Sequence, residues 1–433
     1  MRAFLRRNRR GVIALAAIAF SCWTGVAAAD GLIRDGVGAR AVGRGGANLG
    51  FADNGQMLLD NPAAMANVQG DGLAEVGFDL LFTDLQYGDA ANNGRYVPSD
   101  DNPFPMGQVS YIRRLDDVWS FGLGAFSVAG FATAYDLPGP FPLLGQQHYK
   151  SLGAFGKILP GISARLTDNL SAGATFGVGV SHAELEGPYF LQAAGPFQGT
   201  PMYLDLQATG AAPCWSFGVQ YQLSEQTTIG ASYQSQTSFN MDGNTLVNVP
   251  GLGLNRFDTA LHMSWPQSVG LGVKHSFCPH HTVACDVLWL DWSRAFDQFD
   301  VLFTNPNNPV FQAVVGNSLP EIFPLQWRDT VSVRTGYEFR PNDDHVWRLG
   351  YTYHRNPIPT GTLTPWIQGI LEHAFSIGHG WNFSEFTSFD LAYQYSFGPQ
   401  QFVGSSDWIG GDFSNSRQYA QYHFLLLSLQ QRF

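Results

Sequence analysis

Gly38–Met65, GARAVGRGGANLGFADNGQMLLDNPAAM, is the stretch on which the reading of this chain turns. It is short and glycine-rich, with neither strand alternation nor a helical apolar face long enough to stand alone. From about Gly72 to Phe433 the chain reads instead as one long series of antiparallel strands. The expectation is therefore a plug over residues 30–71 and a barrel wall over residues 72–433 that closes around it.

Working outward, the first 29 residues read as a secretory signal. Arg2, Arg6, Arg7, Arg9 and Arg10 form its charged start, Gly11–Val26 its apolar run, and Ala27-Ala28-Ala29 a small-residue cleavage site. Five of the 24 basic residues fall in this leader, whereas all 35 acidic residues lie beyond it. So acidic a chain argues against a nucleic-acid partner, which needs a basic surface. The cysteines left after it, Cys214, Cys278 and Cys285, imply no disulfide framework. An export signal without a later apolar run of membrane length leaves a closed barrel as the membrane-spanning option, because lipid satisfies no open backbone groups.

Beyond residue 72 there is no linker or composition break. Charged residues are 14%, aromatics 14%, and lysine occurs only at Lys150, Lys157 and Lys274, which suits strands and tight turns better than helices. The period is two. Ala74, Val76, Phe78, Leu80 and Phe82 alternate with Glu75, Gly77, Asp79 and Leu81; Phe389, Leu391, Tyr393, Tyr395 and Phe397 alternate with Ser388, Asp390, Ala392, Gln394 and Ser396. Six short polar turns, at 116–117, 167–169, 224–226, 278–281, 341–344 and 382–385, separate seven longer connections. The latter lie near 86–105, 132–147, 187–209, 241–260, 304–326, 357–371 and 398–419. Thirteen connections join fourteen strands, and short turns alternating with long outer loops are the habit of an outer-membrane barrel. The last strand ends on Phe433 with Leu425, Leu427 and Leu429 on the same face, and Trp119, Trp215, Trp265, Trp289, Trp292, Trp327, Trp347 and Trp381 near strand ends are expected in interfacial girdles.

Several of these stretches resemble the FadL family of outer-membrane channels for long-chain fatty acids and hydrocarbons, which includes toluene-type transporters. Asn61-Pro62-Ala63 looks like its NPA motif, Trp265-Pro266-Gln267-Ser268-Val269 like its PQS strand, and Asp286–Ser293 (DVLWLDWS) is similar to its DVxWxDWS strand. Trp327–Thr330, Gly336–Pro341 and Asn356–Pro359 continue the same order. The resemblance implies an all-β membrane protein: a 14-stranded antiparallel outer-membrane β-barrel with an N-terminal hatch inside the lumen. It further implies capture of a hydrophobic ligand on outer loops, transfer to a pocket, and exit sideways after hatch movement through an opening at a kinked third strand. Here that strand is expected at Trp119–Phe131, with Gly122, Gly124 and Gly130 permitting the bend. A monomer in the outer membrane of a Gram-negative-type bacterium, in contact with membrane lipid and without a cofactor, is the expected state.

Candidate ligand residues come from two apolar connections. Residues 187–209 carry Phe190, Leu191, Phe197, Met202, Tyr203 and Leu204, and residues 241–260 carry Leu246, Val249, Leu252, Leu254 and Phe257. Clustered apolar residues facing water suggest a landing site, although they could equally cap the barrel. Alternation points Lys157, Lys274, Arg334 and Arg348 inward as candidates for a ligand carboxylate, or for a structural ladder with Glu75, Asp79, Asp286, Glu338 and Asp390. A fatty acid is thus set beside a neutral or aromatic hydrocarbon as cargo. Arg40, Arg44 and Asp53 are expected to pair with lumen charges. Cys278, His280, His281 and Cys285 have metal-ligand side chains, but they straddle a hairpin turn and no metal is expected. Gly36–Ala41 mimics a dinucleotide fingerprint without the strand and helix that it requires. An outer-membrane lipase would need a Gly-x-Ser-x-Gly elbow, which the chain lacks; an adhesin would bind cells without a buried ligand.

Overall fold

The computed structural model describes residues 31–100, 103–410 and 413–433; the leader expected over residues 1–29 lies outside them. Fourteen strands form the wall. They are β1 (Gly72–Gly88), β2 (Phe104–Arg114), β3 (Trp119–Pro138), β4 (Gln146–Arg165), β5 (Leu170–Phe190) and β6 (Pro201–Ser224). β7 (Thr227–Gln234 and Thr237–Val249), β8 (Gly253–Trp265 and Ser268–Cys278), β9 (His281–Leu290 and Gln298–Thr304) and β10 (Ser318–Pro324 and Thr330–Phe339) are each broken once. β11 (His345–Tyr353), β12 (His373–Asn382), β13 (Thr387–Phe397) and β14 (Arg417–Arg432) complete the circuit. Antiparallel pairing of β1 with β14, from Leu73–Arg432 to Gly88–Arg417, closes the sheet into a barrel. Among the described residues no helix is long and apolar enough to cross a membrane.

The alternation explains which face each residue takes. On β5, Phe176, Val178 and Val180 are exposed on the outside, while Gly173, Thr175, Gly177 and Gly179 face inward. Small inward residues leave room for residues 31–71, most of which are buried within the barrel, with residues 69–71 exposed at the end of the segment. This segment contains α1 (Ala39–Gly43), α2 (Met57–Asp60) and a 3-10 turn over Pro62–Asn67. Charge fixes it to the wall. Arg40 donates to Asp390 at 2.7 Å, and Arg348 donates to both Asp390 and Glu338 at 2.6 Å. Arg44 donates to Asp53 at 2.9 and 3.0 Å and stands 3.6 Å from Glu338, so its main partner belongs to its own segment. Glu75 accepts from the Gly55 amide, and Asp286 from the amides of Asn48 and Leu49. Buried charges require such partners, and here those partners dock the segment.

Two of the expected long connections are not loops. β5 runs to Phe190 and β6 resumes at Pro201, while β7 and β8 meet in a hairpin whose pairing reaches Val249 and Gly253. The outward positions become polar there (Asn240, Asp242, Asn244), so the apolar rhythm fades although the pairing continues beyond the membrane zone. β3 likewise extends past Phe131 to Pro138. The aromatic girdle also differs. Trp119, Trp215 and Trp347 are exposed on the wall, whereas Trp265, Trp292 at the start of α3 (Trp292–Ala295), and Trp327 are buried around Phe296.

Candidate functional site

A gap in the wall defines the site. β2 pairs with β3 only from Gln108–Phe126 to Arg114–Ser120, and Phe104–Gly107 of β2 pair with β1 alone. Just above Phe126 the pairing of β3 with β4 shifts register between Ser127 and Ala129. Such a bulge bends a strand away from its neighbour. Among the described residues, contact resumes at Ala134, whose carbonyl accepts from the Asp100 amide and whose amide donates to Ser99 Oγ. Between these limits the N-terminal segment supplies the missing pairing. The Arg34 amide donates to the Val128 carbonyl and the Gly130 amide to the Leu32 carbonyl, both at 3.2 Å, around an Ile33–Ala129 bridge. The Arg34 guanidinium spans the gap, donating to Ser127 O at 3.1 Å and to Asp79 of β1 at 2.5 Å.

A cavity of about 430 Å³ opens behind this patch. Leu81, Phe104 and Met106 line one side of the gap, Ala129, Phe131 and Leu152 the other. One end is polar, where His354 Nε2 lies 3.2 Å from Asp35 and the Gln394 amide donates to Asp35 at 2.9 Å. A volume of this size suits a small apolar ligand held by few polar groups. The expected hinge glycines have different roles. A Cβ on Gly122 would come within 2.6 Å of Met65 Sδ and 2.8 Å of Leu58, and one on Gly124 would meet Leu58 and Phe126. Those two admit the N-terminal segment to the wall below the gap, whereas Gly130 lies in the gap itself.

The four inward cations separate by surroundings. Arg348 is closed off in its ion pairs, and Lys274 stands 5.0 Å from the Phe51 ring beneath the segment. Lys157 and Arg334 line a second cavity of about 70 Å³, which shares Ile33, Arg34 and Phe155 with the large one. Lys157 donates to Gln234 at 2.9 Å and has no carboxylate within ion-pairing distance among the described residues. Asp60 of the segment lines the same cavity; burial pushes its carboxyl up to about 6, against the hydrogen bond from Asn48 and the nearby Arg334 and Arg44. The NPA corner is seated next to it. The Asn61 side chain accepts from the Ala63 amide at 3.2 Å and donates to the carbonyls of Leu49 and Val219, while Pro62 backs onto Gly173 and Gly218.

Toward the outside two smaller cavities follow. Phe131 leads into one of about 50 Å³ with Leu206, Met263, Phe299, Trp366 and Trp408. The outermost, about 40 Å³, gathers Leu191, Phe197, Met202, Val249, Leu252 and Phe257, six of the residues singled out in the sequence. The other five lie elsewhere. Leu204 is buried in the apolar core and Phe190 packs on Gly410; Tyr203 faces outward and donates to Glu186, and Leu246 and Leu254 are exposed on the outer face. Sequence reasoning passed over Phe303, Phe311, Trp366 and Trp408; for Trp366 and Trp408, aromatics inside nominal loops were the available signal. His280 contacts the Arg340 carbonyl and His281 the Tyr337 hydroxyl; among the described residues no group of three or more His, Cys, Asp or Glu is placed to hold a metal.

A closed barrel whose lumen holds its own N-terminal segment agrees with the comparisons. The family model described as "Outer membrane protein transport protein (OMPP1/FadL/TodX)" matches residues 20–425. The chain belongs to this family. It is a transport channel of the outer membrane and not an enzyme. Among solved structures, it is similar to a Pseudomonas aeruginosa FadL homologue (18% identity, 93% of this chain and 100% of that one, TM-score 0.74). It is also similar to the Pseudomonas putida toluene transporter TodX (20%, 92% and 99%, TM-score 0.73) and the Ralstonia pickettii toluene transporter TbuX (18%, 92% and 99%, TM-score 0.70). At these identities the likeness to the solved structures speaks for the fold. A comparison with curated proteins found no match.

Proposed function

We propose that this channel carries hydrophobic molecules passively, taking them from outside at the β5–β10 hairpins and releasing them sideways through the gap between β2 and β3. Residues 30–71 act in this reading as a hatch. The observation that carries it is the 430 Å³ cavity, whose lining runs from the lumen to both sides of a wall gap patched, among the described residues, by Leu32–Arg34. Withdrawal of three residues costs two backbone hydrogen bonds and the Arg34 contacts, far less than parting two fully paired strands. Lateral exit keeps an apolar solute out of water at every step.

Long-chain fatty acids or related lipids are the cargo this reading favours, because Lys157 offers a carboxylate an unneutralised cation beside the apolar cavity. Replacing Lys157 by Met is expected to lower uptake of a labelled fatty acid about tenfold while sparing toluene; equal effects on both would favour the neutral hydrocarbon. The route itself is tested with a diazirine-bearing fatty acid photolysed during transport. Labelling of Phe104–Met106 and of residues 127–132 is expected, and labelling confined to the inner surface of the hatch would refute lateral release.

A further inference from the structure

Besides the apolar residues of the outer cavity, one loop tip on the outer side is apolar and exposed. The β3–β4 hairpin ends in Pro138-Gly139-Pro140-Phe141-Pro142-Leu143-Leu144-Gly145, on the side of the long connections. Phe141 is 80% exposed and Leu144 67%, and Phe141 has the highest exposure among the exposed large hydrophobic residues described. Exposed apolar side chains scattered singly are ordinary, but two on one short tip form a patch.

The tip is built rather than loose. The Gly139 amide donates to the Gly145 carbonyl at 2.7 Å, Gln147 donates to the Leu144 carbonyl at 3.3 Å, and Gln146 donates to the Asp136 carbonyl at 2.9 Å. Pro138, Gly139 and Pro140 rest against Tyr87, Tyr149 and Phe413 around a small cavity, which roots the loop on its neighbours. Three prolines within five residues limit collapse of Phe141 onto the barrel. Phe141 and Leu144 stand exposed at the end of this rooted turn, which suits insertion into a deformable apolar medium. From Leu137 to Gln147 there is no charged residue, and the flanking Asp136 and His148 are bonded to each other at 2.9 Å. Attachment to an anionic surface uses lysine and arginine, which this tip lacks.

We propose that this tip docks the protein onto an uncharged hydrocarbon phase outside the cell, with Phe141 and Leu144 entering the droplet. The proposal rests on the reading of an apolar cargo: such cargo is scarce in water, and a channel held at a droplet meets it at high local concentration. β3, whose outer end carries the tip, is also the strand that borders the wall gap.

The test uses the purified barrel in nanodiscs of zwitterionic lipid and hexadecane droplets separated by flotation. The wild type is expected to rise with the droplets, and the paired Phe141→Ser, Leu144→Ser variant to lose about tenfold in the floated fraction, the scale set by two removed apolar side chains. A control pair, Val310→Ser with Phe402→Ser, alters other exposed apolar residues and is expected to float normally. Flotation of the tip variant at the wild-type level, or equal loss in the control pair, overturns the proposal. In proteoliposomes the tip variant should take up a fluorescent fatty acid several-fold more slowly from droplets and within twofold of normal from a cyclodextrin complex. Equal slowing from both sources would place the tip in the conduction path and also overturn it. Flotation needs no transport, so it stands or falls apart from the channel reading.

Discussion

Asn61 and Pro62 depend on glycines across the lumen. A Cβ at Gly218 would collide with Asn61 Oδ1 and fall 2.9 Å from Pro62 Cδ, and at Gly173 it would lie 2.5 Å from the Pro62 carbonyl. Backbone cannot yield to such an overlap cheaply. Gly218→Val is therefore expected to unseat the corner, and the readout is sensitivity of cells to a large antibiotic normally excluded; unchanged sensitivity would show that the corner is not a seal. Asp390 holds both Arg40 and Arg348, so Asp390→Ala leaves two buried guanidiniums short of a partner. Loss of one partner from such a network costs about 3–5 kcal/mol, to be read as a lower melting temperature in detergent. Asp60 sets a pH dependence of defined sign. Its folded-state value of about 6 exceeds the ordinary 3.8, so its contribution to docking is full below 3.8 and lost as pH rises through 6. Asp53, held below its ordinary value by Arg44 and Arg40 despite burial, works the other way: its stabilisation holds at neutral pH and disappears only in strong acid. Between pH 6.5 and 5 Asp60 takes up its proton in the folded state. Asp60→Asn should flatten the gain in melting temperature over that window, and an unaltered slope would contradict the assignment.

At the scale of elements, the wall was legible because lipid leaves no freedom: Val76 and Phe78 must point out and Glu75 and Asp79 in, and six short turns give the count. The upper hairpins were not legible, because outside the membrane zone Asn244 and Asp242 replace the apolar outward residues and the rhythm looks like loop. β3 shifts register at Ser127–Ala129, inside the stretch Trp119–Phe131 expected to bend, and the place within that stretch is set by pairing partners that no local residue announces. Of the ligand candidates, Leu191, Phe197, Met202, Val249, Leu252 and Phe257 converge, since inward positions of successive hairpins meet at one level. Phe303 and Phe311 complete that cluster from a segment far along the chain, and such convergence has no local signal. Paired replacement of Phe197 and Phe257 by Ala is expected to lower uptake at scarce cargo about tenfold and to leave uptake at saturating cargo nearly intact. Loss at all concentrations would instead indicate a structural cap.

For the molecule as a whole, a greasy band faces lipid, ion pairs tie the N-terminal segment to the inner wall, and apolar cavities step inward to a place where the wall is unpaired. In the proposed route, residues 32–34 leave β3 for cargo to exit. Ile33 and Ala129 form a non-hydrogen-bonded antiparallel pair, a geometry whose Cα separation of about 4.5 Å accepts a disulfide. Cysteines placed at both positions, in a chain with Cys214, Cys278 and Cys285 replaced, would tie the patch shut on oxidation. Fatty-acid uptake should then fall to background and recover on reduction; full uptake through the oxidised, cross-linked barrel would contradict the account.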